Sequence, residues 1–457
     1  MSTGGGFQFV VTTASNPRVK ENQRLVRSHI SRSRSTRKGP RALTSWINHD
    51  VGLTEQAQYN EGHAEKINLI RPLGNGLSWV RFPERVHPRV IQKAASLLPI
   101  LGNAMYPREL CIEEPTIDAA WVGLLLTDAA YIHAMAYSAE AYHDKKLCRR
   151  PSAQTQTHLL EALRLLQSRL SKPNSSSATS DPTIMTIVML ALAADVLEDW
   201  GTLESHLEGL KVMVNLRGGL PNLKTTANEI AFKICRGDLS HALRNSRRPI
   251  YFKDNISWEP YITGSGHTGL ARFEDDKELS KIIESLDPRL YNVWTDLREF
   301  CQMSNLGCQT GLKLPHGTFN EILLSVSYRL SHLEFDWSPA LEAFRVGMLA
   351  FTTSIFFSWP ELRQINMSVT RTFQDALWKL RSSGDYFNPL LTFWVLMIWK
   401  VQVHKEAPEK LFADWFGEVK LSIPIASWAE ARAVMKRVLW IDILHDEQGK
   451  AEFNRSI

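Results

Sequence analysis

Apolar residues recur every three or four positions along most of the chain after residue 116, whereas the alternating patterns typical of strands are almost absent. This spacing places the apolar residues on one face of a helix. Four such stripes are clear, at 159–170, 203–214, 323–333 and 341–355. The pattern predicts an all-α fold with one large multi-helix domain.

Capping and stop signals predict where several helices begin and end. Asp181 before Pro182 predicts an N-terminal cap for a helix over 184–196. Gly218 and Gly219 predict a left-handed stop after the preceding helix, because glycine adopts positive φ without strain.

Other segments are predicted to be helical from their length and apolar content. Residues 119–142 form an apolar run long enough for one buried helix. Thr318 with Glu321 is typical of a capping box, and Ser338 before Pro339 predicts another helix start. Further helices are expected over 88–98, 288–303, 371–380, 389–403 and 428–440.

Composition divides the chain of 457 residues into four parts. Residues 1–45 form a basic arm, rich in Ser and Arg, that has no apolar period and is expected to be largely disordered. Residues 46–115 form a poorly patterned connecting region with six prolines. The helical domain is expected over 116–445, and residues 446–457 form a C-terminal tail.

The net charge of +5 is concentrated in the arm. Residues 1–41 hold nine basic side chains and one acidic one, whereas the rest of the chain holds 44 basic and 47 acidic side chains. Such an arm suits nuclear import or contact with nucleic acid or another polyanion, and a solvated tail without function is the alternative. The candidate contact residues are Arg27, Arg32, Arg34, Arg37, Lys38 and Arg41.

Signatures of catalysis are missing from the sequence. It contains no Gly-rich phosphate loop, no nucleophile elbow and no paired-histidine zinc motif. Cys301 and Cys308 have no nearby histidine to complete a metal site, and His133 and His206 are interpreted as hydrogen-bonded core or boundary histidines. We therefore expect no catalytic residue, no metal and no cofactor.

The five cysteines are too scattered for a disulfide framework, which favours a reducing compartment. The longest apolar windows are shorter than the roughly 18 residues that a membrane span needs. We expect no membrane segment.

Several strings in the helical region resemble the fungal-specific transcription factor domain, the all-helical regulatory region of fungal regulators. They are DAAWVGLLLTDAAYIHAMAYSAEAY at 118–142, WGTLESHLEGLKVMVNLRGG at 200–219, CRGDLSHALRNSRRP at 235–249 and YRLSHLEFDWSPALEAFRVGMLAFTTSIFF at 328–357. Members usually carry a Zn2Cys6 module that reads DNA. Here the first cysteine is Cys111, and no other cysteine follows it at the spacing of that module.

The resemblance implies a nuclear transcriptional regulator or co-regulator without its own zinc module, which acts through protein contacts and governs a specialised set of metabolic genes. Its expected partners are other transcription regulators or an import receptor, with at most weak, sequence-independent contact with nucleic acid. The alternative is a helical scaffold outside the nucleus. An enzyme is the least supported interpretation, and the oligomeric state is left open.

Overall fold

Seventeen helices form the described part of the chain in this computed structural model, which covers residues 86–112, 119–171, 176–253, 256–262, 277–357, 363–385, 387–402 and 409–455. They are α1 Pro88–Met105, α2 Ala119–Thr127, α3 Ala129–Lys146, α4 Ala153–Leu170, α5 Asp181–Val196, α6 Trp200–Leu216, α7 Gly219–Thr226, α8 Asn228–Arg244, α9 Lys277–Leu286, α10 Pro288–Thr310, α11 His316–His332, α12 Pro339–Phe356, α13 Arg363–Ser383, α14 Pro389–Gln402, α15 Glu409–Ser422, α16 Trp428–Val438 and α17 Asp442–Arg455. The described ranges contain no strand, only a single bridge between Cys111 and Leu314. The all-α prediction is confirmed.

The helices pack in two groups that share one junction. The first group surrounds α3 and α5, which contact α1, α4 and α6. The second group surrounds α12 and α14, which contact α11, α13, α15, α16 and α17. Helix α8 contacts α5, α6 and α7 in the first group and α11 and α13 in the second, so it joins the two.

This packed unit extends beyond the expected domain on both sides. Helix α1 comes from the connecting region 46–115, and it packs against α3. The end of α17 comes from the tail 446–457, and Phe453 in this segment is fully buried. The arm and residues 46–85 lie outside the described residues, as does most of the loop at 254–275.

The apolar stripes mark the core faces of α6, α11 and α12. Every member of these three stripes is buried: Leu203, Leu207, Leu210, Val214, Leu323, Val326, Leu330, Leu333, Leu341, Phe344, Met348, Phe351 and Ile355. In α4 the stripe is displaced, because Thr155, His158, Ala162 and Leu166 are the buried residues of that helix. Three of the four predicted faces are therefore confirmed.

The expectation of one helix over 119–142 is wrong. Asp128 ends α2, and its carboxylate accepts a hydrogen bond from the backbone N–H of Tyr131 at 2.9 Å as the N-cap of α3. The same carboxylate pairs with Arg169 of α4 at 2.6 Å. A single aspartate in an apolar run therefore divides the segment, because its side chain satisfies a backbone donor that would otherwise be unpaired.

Two predicted caps also differ from the structure. Ser180, not Asp181, is the N-cap of α5, and Asp181 occupies the first turn. Thr318 lies inside α11, whose N-cap is Pro315, so the capping box with Glu321 does not form. Ser338 does cap α12, because its hydroxyl accepts a hydrogen bond from the N–H of Leu341 at 3.4 Å.

The stop after α6 is the predicted left-handed turn. Gly218 and Gly219 both have φ of 86°. A new helix, α7, begins directly after this turn. The turn therefore redirects the chain between α6 and α7, using a backbone conformation that glycine adopts without strain.

We expect Leu210→Ala to lower the free energy of unfolding by about 2 to 5 kcal/mol, because Leu210 is 2% exposed and its removal leaves a cavity. Leu216→Ala on the same helix is the matched control, since Leu216 is 69% exposed, and its effect should stay within about 0.5 kcal/mol. Chemical denaturation measures both. Equal stability of the two variants would contradict the core assignment of α6.

Candidate functional site

Helix α8 carries charged side chains into the interior of the protein. Lys233, Arg236 and Asp238 are each at most 8% exposed, and the Arg244 side chain is 7% exposed. Since α8 is covered by helices of both groups, these residues cannot all reach water. Buried charges are costly unless other groups compensate them, so the surroundings of each one show what this helix can do.

Arg244 is compensated by Asp195 of α5. The two side chains form a close ion pair, and Asp195 also accepts a hydrogen bond from the Ser240 hydroxyl at 3.1 Å. The Arg244 guanidinium lies over the ring of Trp200, 4.2 Å from its centroid. These contacts fix α8 against α5 and the start of α6.

Asp238 is compensated by hydrogen bonds from two directions. Its carboxylate accepts from the N–H groups of Ile250 and Tyr251, at 2.8 and 3.2 Å, and from the Tyr328 hydroxyl at 2.9 Å. Burial raises the pKa of this carboxyl, while the same hydrogen bonds oppose the rise. Asp238 therefore ties the segment after α8 to α11.

Arg236 has no acidic partner among the described residues. Its Nη2 donates to the carbonyl oxygen of Phe356, and the guanidinium lies 4.0 Å from the centroid of the Phe356 ring and 5.4 Å from that of Phe357. Its Nη1 is buried and has no hydrogen-bond partner among the residues that the structure describes. Burial lowers the pKa of Arg236 to about 10, so the group still carries its charge at neutral pH.

A cavity of about 90 Å³ lies beside this arginine, between α1, α5, α6 and α8. Its wall is mostly aliphatic, and its charged members are Asp195, Lys233 and Arg236. Lys233 lies 3.6 Å from the carboxylate of Glu229, and Asp195 is paired with Arg244. Arg236 is therefore the wall residue whose charge lacks an acidic partner in the described structure.

Thiols and histidines do not form a metal centre in the described ranges. All five cysteines are free, and no three His, Cys, Asp or Glu side chains there come together as metal ligands. Burial raises the pKa of Cys111 and of Cys235 to about 12, so both stay protonated at neutral pH. Cys301 is buried in the core as well.

The two histidines singled out in the sequence differ from each other. His133 contacts His158 of α4, with 3.1 Å between their Nδ1 atoms, as expected for a hydrogen-bonded histidine. His206 is buried in α6, which places it in the core, and its Nδ1 has no hydrogen-bond partner among the described residues. Burial lowers the pKa of His206 to about 4, which keeps it neutral.

One family model matches part of the first helix group. Residues 121–255 match the model of the fungal-specific transcription factor domain, and the match covers less than a third of the chain, from α2 to just beyond α8. This segment is similar to that domain. No curated protein and no solved structure matches the chain.

The matched segment 121–255 contributes most of the cavity wall, from Val188 to Ser240, and residues outside the match complete it. These are Leu101, Ala104 and Met105 of α1, with Phe357 after α12. The sequence of the segment 235–249 resembles the family, but its pattern indicates neither the cavity nor the burial of Arg236. The arm candidates, from Arg27 to Arg41, lie outside the described residues.

No helix in the described part of the chain is both long enough and apolar enough to span a bilayer.

We expect Asp195→Asn to destabilise the protein by about 3 to 5 kcal/mol, because it leaves the Arg244 charge buried without its partner. Adding Arg244→Met should restore much of this loss. Glu334→Gln is the control, since its pair with Arg248 is more than half exposed and contributes about 1 kcal/mol or less. Chemical denaturation of the four proteins measures the effects, and equal losses for Asp195→Asn and Glu334→Gln would contradict the buried pair.

Proposed function

We propose that this protein is a fungal transcriptional regulator or co-regulator that acts in the nucleus through its helical domain and relies on a partner to read DNA. The observation that carries the proposal is the transcription factor domain at 121–255, in a sequence without the six-cysteine pattern of a Zn2Cys6 module. A specialised set of metabolic genes is the proposed target.

The positions of the cysteines support the absence of a zinc module from these residues. The zinc ligands of a Zn2Cys6 module are six thiolates, each of which lies about 2.3 Å from a zinc ion. Cys111, Cys235 and Cys301 are instead buried in different parts of the core, and burial raises the pKa of each thiol. These cysteines pack as small apolar residues, so they are poor candidates for a zinc cluster.

The family and the sequence support a role in protein contacts over a role in catalysis. The transcription factor domain implies a regulator. The sequence also lacks the motifs of the common enzyme classes. A helical scaffold outside the nucleus is the competing function, and the location of the protein separates the two.

We expect the arm to direct nuclear entry, because import receptors bind clusters of Lys and Arg on an extended backbone. Changing Arg32, Arg34, Arg37 and Lys38 together to Ala should move a fluorescently tagged protein from the nucleus to the cytoplasm. The matched control exchanges Arg for Lys and Lys for Arg at the same four positions, which keeps the charge. Nuclear accumulation of a folded alanine variant would contradict this prediction.

We expect the purified protein to bind DNA only weakly and without sequence preference, because base reading needs side chains that a rigid module holds in a groove. Binding to unrelated duplexes should be similar, with Kd on the order of 10⁻⁴ to 10⁻⁶ M near physiological salt, and should weaken steeply as salt rises. Fluorescence anisotropy at constant salt measures it. A preference of about 10³-fold for one duplex without a partner would refute the co-regulator proposal.

A further inference from the structure

The charges around the cavity beside α8 leave a positive excess. Asp195 pairs with Arg244, and Lys233 lies near Glu229, whereas the contacts of Arg236 in the described part of the chain are the Phe356 carbonyl and two aromatic rings. A carbonyl and a ring face attract a cation but do not neutralise it. The Nη1 donor of Arg236 is buried and has no partner in those described ranges. A group that brings an anionic oxygen to this wall would remove the imbalance.

The rest of the wall suits a hydrocarbon group. Leu203, Leu207 and Leu210 of α6 and Ile234 of α8 are buried aliphatic residues that line the cavity. Met105, Val188 and Leu192 line it as well but are only partly buried, so a ligand can enter on their side. The occupant that fits this wall has an apolar body and one anionic end.

The cavity volume limits the size of the occupant. About 90 Å³ corresponds to roughly three water-sized groups, and an engineered cavity of about 150 Å³ in another protein holds benzene. This space encloses a carboxylate of two or three carbons, and the longer chain of butyrate would extend toward the open side at Met105, Val188 and Leu192.

We propose that the cavity between α1, α5, α6 and α8 binds a compact aliphatic carboxylate, whose carboxyl group pairs with Arg236 and whose hydrocarbon part contacts the leucines of α6. Arginine suits this role because its guanidinium presents planar donors that match a carboxylate. The site combines residues of the transcription factor domain with α1 and Phe357, so the ligand would contact both helix groups.

Isothermal titration calorimetry of the purified full chain with butyrate tests the proposal at constant ionic strength. We expect saturable binding of one butyrate for each chain, and at least ten-fold weaker binding of butyramide, which has a similar shape but no charge. Acetate, propionate and butyrate should differ by about three- to four-fold for each added methylene group, as expected for apolar burial. No saturation with any of the three acids, or equal affinities for butyrate and butyramide, would overturn the proposal.

Variants of two wall residues locate the bound ligand. Arg236→Met should weaken butyrate binding at least ten-fold. Gly237→Ala places a methyl group in the wall, 3.7 Å from Leu207, so it should fold normally and weaken binding several-fold. The matched control is Gly201→Ala, which meets nothing within 4 Å and lies outside the cavity wall, so it should bind butyrate like the parent.

These variants keep the proposal open to refutation even if one of them fails to fold. A folded Arg236→Met variant that binds butyrate like the parent would overturn the role of Arg236. If circular dichroism shows that Arg236→Met is unfolded, the Gly237→Ala variant tests the location of the site instead. Unchanged affinity of that variant for butyrate would overturn the cavity as the binding site. The measurement uses purified protein without DNA, so it is independent of nuclear location and of DNA reading.

Discussion

The buried charged side chains of helix α8 need partners, and this need determines how the two helix groups are joined. This helix contacts both groups, and its charged residues find partners on elements that are distant in sequence. Arg244 pairs with Asp195 in α5, whereas Asp238 accepts hydrogen bonds from the segment after α8 and from Tyr328 in α11. Each compensation fixes α8 against a different element, because a buried charge tolerates little displacement from its partner. The position of the junction is therefore set by polar geometry as well as by apolar packing.

The second helix group contains a buried pair that acts in the same way. Asp296 of α10 pairs with Arg329 of α11, and the two side chains are 0% and 1% exposed. Asp296 also accepts hydrogen bonds from the N–H groups of Tyr261 and Ile262, at 2.8 and 2.9 Å. The cost of desolvating such a pair offsets much of the attraction between its two charges. Its main effect is on the specificity of the fold, because a misplaced partner would leave the other side chain as a buried charge without compensation. The pair thus fixes a turn of chain against two helices.

The sequence predicted what depends on periodicity and missed what depends on tertiary charge pairing. The stripes of α6, α11 and α12 were predictable because three- and four-residue spacing fixes a helix face. The break between α2 and α3 at Asp128 was not predictable in this way, because one polar residue barely changes an apolar run. The Asp128 carboxylate acts through tertiary structure, since it caps α3 and pairs with Arg169. A buried arginine such as Arg236 looks like a surface arginine in a sequence. Its partners, Phe356 and Phe357, lie about 120 positions away, at a distance that no local pattern reports.

Arg236 connects the cavity to the second helix group through the end of α12. Its guanidinium donates to the carbonyl of Phe356, the last residue of that helix, where a positive charge interacts favourably with the helix dipole. A carboxylate in the cavity would bind the same guanidinium from the other side, and it would reduce the charge that α12 experiences. Arg236 would then couple the occupancy of the cavity to the position of α12, because it contacts both. The family match ends just after α8, so Arg236 links the matched segment to a helix that lies outside it.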